Sequence, residues 1–222
     1  MDLILIVLII ALPLLAQLFI SVSYSRYSKI LNNKKLSGKE VARIILDNNN
    51  LNSILIYKVS GNLTDHYDPT KKLVRLSNDI YENDTISSMA VAAHECGHAI
   101  QDSEDYFFLK LRSSIYPVVR VATSISYWII LFGFLFELLD LLYLGIGFTM
   151  FGLLFQIITL PVEFNASNRA LKKLKEYNLV DEDELKGARK VLTAAALTYV
   201  AGTLASALQI LRLILIANSS RD

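Results

Sequence analysis

The 222-residue sequence predicts a mainly α-helical membrane protein, with about four transmembrane helices and a small cytosolic α+β part. Apolar residues make up 53% of the chain and charged residues 19%, whereas soluble domains carry about 25% charged residues. Four stretches reach the roughly 20 mostly apolar residues that cross a bilayer. The net charge of +1, without a basic aromatic patch, argues against nucleic-acid binding.

The apolar stretches divide the chain into five parts. We predict a first transmembrane helix at 1–22, followed by a cytosolic part at 23–120. A hairpin of the second and third transmembrane helices follows at 121–160, then a cytosolic helical segment at 161–191, and a fourth transmembrane helix with the tail at 192–222. The first helix is expected to be a retained anchor, because no basic region precedes it and no small-residue cleavage site follows. The hairpin turn is expected at 139–141.

Lysine and arginine residues indicate the orientation, since basic loops stay on the cytoplasmic side of bacterial membranes. Five basic residues follow the first helix, between Arg26 and Lys39, and seven lie within 161–191. Both of these parts are therefore expected to face the cytoplasm, with both termini outside. Arg212, near the end of the fourth helix, is expected to reach the outer interface.

Local signals predict the elements of the cytosolic part. Ser37 and Glu40 match a capping box that opens a short helix. Alternating residues near Ile54–Tyr57 and over Lys72–Ser77, with a turn at Gly61–Asn62 between them, predict a small antiparallel sheet.

An alanine-rich helix is predicted next, over Thr85–Asp102, and it contains the pattern H-E-x-x-H. Positions i and i+4 share one helix face, so His94 and His98 can bind one Zn²⁺ together. Glu95 beside them can take a proton from an activated water molecule. Cys96 lies on roughly the opposite side and is interpreted as packed rather than ligating. As the single cysteine, it also excludes an internal disulfide.

A catalytic zinc site needs a third protein ligand. The candidates are the remaining histidine and five carboxylates, namely His66, Asp102, Glu104, Asp105, Glu137 and Glu163. Asp102 lies one turn farther along the same helix, where its geometry is poor, and Glu137 belongs to the opposite membrane face. Glu163 fits best, because two membrane spans return it to the cytoplasmic interface. The alternative is that Glu163 is an interfacial charge at the positive end of a helix.

The sequence resembles the YugP-type neutral zinc metallopeptidases, which are small bacterial integral membrane proteins. The resemblance covers nearly the whole chain, and its most specific stretches are 61–69, 76–77, 91–101 and 160–167. More distantly, the sequence is similar to the HtpX-type and CAAX prenyl membrane proteases, gluzincins with a glutamate ligand that follows intervening membrane helices. The resemblance implies a zincin-like cytosolic part, with His94, His98 and Glu163 as zinc ligands and Glu95 as general base.

The chain departs from those distant relatives at one position. They place an aspartate four residues after the ligand glutamate, where it orients a zinc histidine, and Ser167 occupies that position here. A serine accepts a weaker hydrogen bond from an imidazole, so we expect a different arrangement around the histidines. Asn165 and Asn168 are the possible substitutes.

The resemblance implies zinc-dependent hydrolysis of peptide bonds at the cytoplasmic surface of the cell membrane, on peptide or protein substrates that include membrane-associated ones. Four side chains are candidates for stabilising the oxyanion, namely His66, Tyr67, Arg169 and Tyr199. By similarity to zincins, the strand at Lys72–Ser77 is expected to be the edge strand to which an extended substrate adds. The small residues of the fourth helix can pack within the monomer or across a homodimer.

Two other functions are considered beside proteolysis. A metal-binding adaptor or chaperone-like scaffold would hold zinc structurally, but such a site has no need of Glu95. A transporter is less favoured, because the predicted membrane interiors offer almost no ionisable side chain besides Arg212.

Overall fold

The computed structural model describes residues 2–61 and 64–219, which form seven helices and three short strands. In chain order these elements are α1 (Asp2–Tyr27), α2 (Gly38–Asp47), β1 (Leu55–Val59), β2 (His66–Asp68), β3 (Leu73–Ser77), α3 (Asn78–Glu82), α4 (Ile86–Ser103), α5 (Phe107–Leu135), α6 (Leu139–Glu176) and α7 (Glu182–Ser219). The predicted fold class, a helical membrane protein with a small α+β part, is confirmed. The predicted turn at Gly61–Asn62 falls partly outside the described residues.

Four helices, α1, α5, α6 and α7, are long and apolar enough to cross a membrane. Both α6 and α7 contain 38 residues. At about 1.5 Å per residue each is about 57 Å long, well beyond the roughly 30 Å hydrocarbon core. Residues 161–176 therefore continue the third apolar helix without a break, and Glu163 is part of that continuation.

The turn between α5 and α6 lies at 136–138, three residues earlier than predicted. Glu137 adopts a positive φ of 55°, and the backbone N–H of Leu138 donates to the carbonyl of Gly133 at 2.9 Å. This hydrogen bond closes the last turn of α5 in the way that a left-handed C-terminal residue allows. The prediction was wrong here because leucines occupy both sides of the turn, so hydropathy does not mark where one helix ends.

Contacts divide the chain into two compact units. The first consists of the described parts of 1–17, 110–161 and 198–222. Within it, Leu142 and Ile146 of α6 are buried with Ile210 and other apolar residues of α7. Arg212 of α7 forms an ion pair with Asp2 of α1, with 2.6 Å between Nε and Oδ1. The second unit consists of 18–109 and 162–197.

The sheet of the second unit has the strand order β1-β3-β2. Strands β1 and β3, which correspond to the two predicted segments, are parallel, whereas β2 and β3 are antiparallel. The prediction of a wholly antiparallel sheet was wrong, because alternation indicates that a segment is a strand and not which strand it pairs with. The expectation that Lys72–Ser77 is an edge strand is also wrong, since β3 has a neighbour on both sides.

Helix α4 occupies the centre of the second unit. It begins after Thr85, whose hydroxyl accepts a hydrogen bond from the backbone N–H of Ser88 at 3.2 Å, and 14 of its 18 residues are buried. Alanines and Gly97 make this burial possible, because a Cβ added at Gly97 would lie 2.6 Å from the carbonyl oxygen of Ala166 in α6. Cys96 is fully buried, and its thiol lies 3.6 Å from the carbonyl oxygen of Ala42 in α2. This contact agrees with its interpretation as a packing residue.

The capping box that was predicted before α2 is confirmed. The Ser37 hydroxyl accepts a hydrogen bond from the backbone N–H of Glu40, and the Glu40 carboxylate accepts one from the backbone N–H of Ser37 at 2.8 Å. Since each residue satisfies a backbone donor of the other, the first turn of α2 is stabilised from both sides. The helix then packs its buried face, which includes Val41 and Ile45, within the core of the second unit.

Candidate metal centre

Two helices bring three potential metal ligands together. His94 and His98 are one turn apart on α4, so their imidazoles lie on the same face of the helix. Glu163 of α6 lies opposite, with its Oε2 at 3.3 Å from Nε2 of His94 and at 3.6 Å from Nε2 of His98. The ligand atoms of the three residues all lie within 4.8 Å of one another.

Two of the three separations, those from Glu163, fit a tetrahedral zinc site. With metal–ligand bonds of about 2.0–2.1 Å, two ligand atoms of a tetrahedron lie about 3.3–3.4 Å apart. The distances from Glu163 to the two histidines match this spacing within a few tenths of an ångström. Two imidazole nitrogens and one carboxylate oxygen are also a donor set that zinc binds in catalytic centres, which keep a fourth position open.

Burial of the cluster adds a second argument. Glu163 is 3% exposed and His98 is 8% exposed, and His94 is nearly as sheltered. A buried carboxylate is costly unless a cation or hydrogen-bond donors compensate its charge. A divalent cation between the three side chains would provide that compensation.

Glu95, which directly follows His94 in the sequence, is also buried. Burial raises the pKa of Glu95, the neighbouring histidines lower it, and the carboxylates of Glu163 and Asp65 raise it again, with a net shift upward. A carboxylate with a raised pKa binds a proton more tightly than an exposed glutamate does. This property suits a group that accepts a proton and then returns it.

Each histidine contacts a polar side chain through its other ring nitrogen. Nδ1 of His94 lies 3.2 Å from Oγ of Ser167, and Nδ1 of His98 lies 3.0 Å from Oε1 of Gln101. The sequence predicted a different arrangement around the histidines, but Gln101 was not among the residues predicted for it. The sequence did contain a signal for a contact between Gln101 and His98, because residues three positions apart on a helix are neighbours.

The two asparagines that were considered as substitutes behave differently. Asn165 accepts a hydrogen bond from Nε2 of Gln101 at 2.9 Å, so it is connected to His98 through that residue. Asn168 is exposed on α6.

The other candidates for a third ligand lie elsewhere. His66 is exposed on β2. Asp102 accepts a hydrogen bond from the hydroxyl of Tyr67 at 2.6 Å and forms an ion pair with Lys72. Glu104 pairs with Arg169, Asp105 follows α4, and Glu137 lies in the turn between α5 and α6. In the described parts of the chain, the structure gathers only His94, His98 and Glu163 into a potential metal site.

The four candidates for oxyanion stabilisation have other surroundings. Nδ1 of His66 lies 2.8 Å from the carbonyl oxygen of Thr64, and the Tyr67 hydroxyl donates to Asp102. Burial, followed by that contact with Asp102, raises the pKa of Tyr67, so its hydroxyl keeps its proton. Arg169 is paired with Glu104 at 2.7 Å. Tyr199 belongs to the other compact unit.

The fold and the cluster together define a helical integral membrane protein with a candidate metal centre of two histidines and one glutamate. The family model described as "Putative neutral zinc metallopeptidase" matches residues 2–218, and the chain belongs to this family. The curated protein "Putative membrane protease YugP" of Bacillus subtilis (strain 168) is 44% identical over 207 residues, which cover 93% of this chain and 92% of the relative. No solved structure matches the chain significantly. The family predicted from the sequence is therefore confirmed.

Proposed function

We propose that the protein is a zinc-dependent endopeptidase of the cell membrane, which hydrolyses peptide bonds at the cytoplasmic surface. The observation that carries this proposal is the convergence of His94, His98 and Glu163 on one point, with Glu95 buried beside them. A purely structural metal site has no use for a buried carboxylate next to its ligands. The family membership and the name of the Bacillus relative support the same reaction.

The residues of the centre have three tasks, namely metal binding, proton transfer and orientation of the ligands. His94, His98 and Glu163 would hold the metal, and a bound zinc ion would supply the Lewis acid that activates water and polarises the substrate carbonyl. Glu95 would accept a proton from the attacking water at its carboxylate and deliver it to the nitrogen of the leaving amine. Ser167 and Gln101 would orient the two imidazoles through their Nδ1 atoms.

The cytoplasmic orientation of the centre is supported by the basic residues that follow Glu163 and the apolar part of α1 in the sequence. Lys172, Lys173 and Lys175 follow Glu163 on α6, and five more basic residues follow the apolar part of α1. Since basic segments remain on the cytoplasmic side, the centre would face the cytoplasm. A site at that surface could receive peptides from the cytoplasm as well as segments of membrane proteins.

The direct test compares wild type with Glu95→Gln, using detergent-purified protein, a quenched peptide library and mass spectrometry of bound metal. We expect wild type to contain zinc and to cleave, and the variant to contain zinc and to lose at least about a hundredfold in rate, as removal of a general base does. The exposed Glu182→Gln, at the start of α7, is the matched control and should cleave at a rate close to that of wild type. Cleavage by the Glu95 variant at the wild-type rate would contradict the proposal. If both proteins bind zinc and neither cleaves any peptide, a metal-binding adaptor becomes the better explanation.

A further inference from the structure

One buried amide connects the two helices that carry the potential ligands. Gln101 lies one turn after His98 on α4 and is completely buried. Its Oε1 lies 3.0 Å from Nδ1 of His98. Its Nε2 lies 2.8 Å from the carbonyl oxygen of Val162, the residue that precedes Glu163 on α6. A single side chain therefore contacts one potential ligand directly and the backbone next to another.

The neighbours of this amide fix its orientation. A backbone carbonyl can only accept, so the atom of Gln101 that faces Val162 is the NH₂ group. The same group faces Oδ1 of Asn165, which also accepts a hydrogen bond from Nε of Arg169 at 2.7 Å. A guanidinium can only donate, which identifies the Asn165 atom as oxygen. The oxygen of Gln101 must therefore face His98, and Nδ1 of that histidine must carry the proton.

We propose that Gln101 is a positioning residue of the metal centre, which sets the tautomer of His98 and holds α6 at the distance that brings Glu163 to the histidines. With its proton on Nδ1, His98 keeps its lone pair on Nε2, the atom that lies 3.6 Å from Glu163. Histidines that bind metals generally donate their second nitrogen to a carboxylate, a carbonyl or water. Here a neutral amide serves instead.

This inference rests on the proposed metal centre, so metal binding is measured directly. The variant Gln101→Met keeps the length of the side chain and removes its hydrogen bonds. We expect its affinity for Zn²⁺, measured by competition with a chromogenic chelator, to fall about 10- to 100-fold, as for other residues that orient a ligand. The visible spectrum of the Co²⁺-loaded protein should also change, because it reports the geometry of the ligands. Ser103→Ala is the matched control, since the Ser103 hydroxyl donates only to the carbonyl of Ile100 on the same helix.

The outcomes separate this inference from the proposed function. If wild type binds no Zn²⁺, the metal centre itself is refuted. If wild type and Gln101→Met bind Zn²⁺ equally and give the same Co²⁺ spectrum, only the role of Gln101 is refuted. Should Gln101→Met not yield folded protein, Gln101→Glu provides the test, because a carboxylate still accepts from His98 but cannot donate to Val162. An unchanged affinity and spectrum of Gln101→Glu would then overturn the connection to α6.

Discussion

Ser167 is the residue that contacts His94 in the candidate metal centre. Its hydroxyl lies 3.2 Å from Nδ1 of His94, a long contact for a hydroxyl group. We predict that Ser167→Ala lowers the affinity for Zn²⁺ by about tenfold, the lower end of the effect expected for an orienting residue. Ser167→Asp should restore or exceed the affinity of wild type, because a hydrogen bond to a carboxylate is about twice as strong. Chelator competition on the three proteins measures this order, and equal affinities of wild type and Ser167→Ala would contradict it.

A second residue, Asp65, permits a prediction about pH. Its carboxylate accepts a hydrogen bond from the backbone N–H of Ser77 at 2.6 Å and one from the Ser77 hydroxyl at 3.1 Å, yet burial raises the pKa of Asp65 above its usual value. A carboxyl group with a raised pKa in the folded state binds its proton more tightly there than in the unfolded chain. Protonation therefore favours folding at low pH, and this contribution is lost as the pH rises through the folded-state pKa.

The variant Asp65→Asn tests this argument, because its amide can replace both hydrogen bonds without a charge. We predict that Asp65→Asn has a higher melting temperature than wild type at pH 7 to 8, and that the difference shrinks below about pH 4, where the carboxyl of the unfolded chain is also protonated. Thermal unfolding in detergent across this range provides the measurement. The exposed Asp79→Asn is the control for the loss of one aspartate charge at the surface. A difference for Asp65→Asn that does not vary with pH would show that the charge is not the cause.

At the scale of elements, the centre depends on how closely α4 approaches α6. A Cβ at position 97 would lie 2.6 Å from the carbonyl oxygen of Ala166, and a backbone atom cannot move aside as a flexible side chain can. We predict that Gly97→Ala separates the helices, lowers stability by about 1–3 kcal/mol, as overpacking does, and reduces the zinc content. Gly202→Ala in α7 is the control, since among the described residues no atom beyond its chain neighbours and the nearby backbone of its own helix lies within 4 Å of the added Cβ. Thermal unfolding and metal analysis of both variants test this, and a zinc content of Gly97→Ala equal to that of wild type would contradict it.

The elements also show what the sequence could and could not predict. Local signals sufficed where the physics is local, as in the capping box of α2 and the helix α4 that carries the histidine pair. Glu163 could be selected because two spans must return the chain to the same side of the membrane. The parallel pairing of β1 with β3 depends on contacts between distant segments, which alternation does not encode. For Gln101 the contact with His98 is local and had a signal in the sequence, but the contact with Val162, 61 residues away, could not be predicted from local patterns.

At the scale of the whole molecule, the four apolar helices permit a prediction about which side of the membrane each loop occupies. Four spans would place Asp2 and Ser219 on the same side, and we predict from the basic segments that the α6–α7 connection lies in the cytoplasm. The turn between α5 and α6 would then lie outside. The single native cysteine, Cys96, is fully buried, so an introduced cysteine at the surface can be detected against a low background.

Cysteine labelling in intact cells with a membrane-impermeant maleimide tests this topology. Asp140→Cys, at an exposed position beside the α5–α6 turn, should react in intact cells, whereas Lys186→Cys, exposed near the start of α7, should react only after permeabilisation. Wild type is the control and should remain unlabelled in both conditions, because the Cys96 thiol is enclosed by the core. The reverse labelling pattern would show that the topology is the opposite of the predicted one. It would also move the basic end of α6 to the outside, and the substrates of the proposed peptidase would then have to come from the extracellular side.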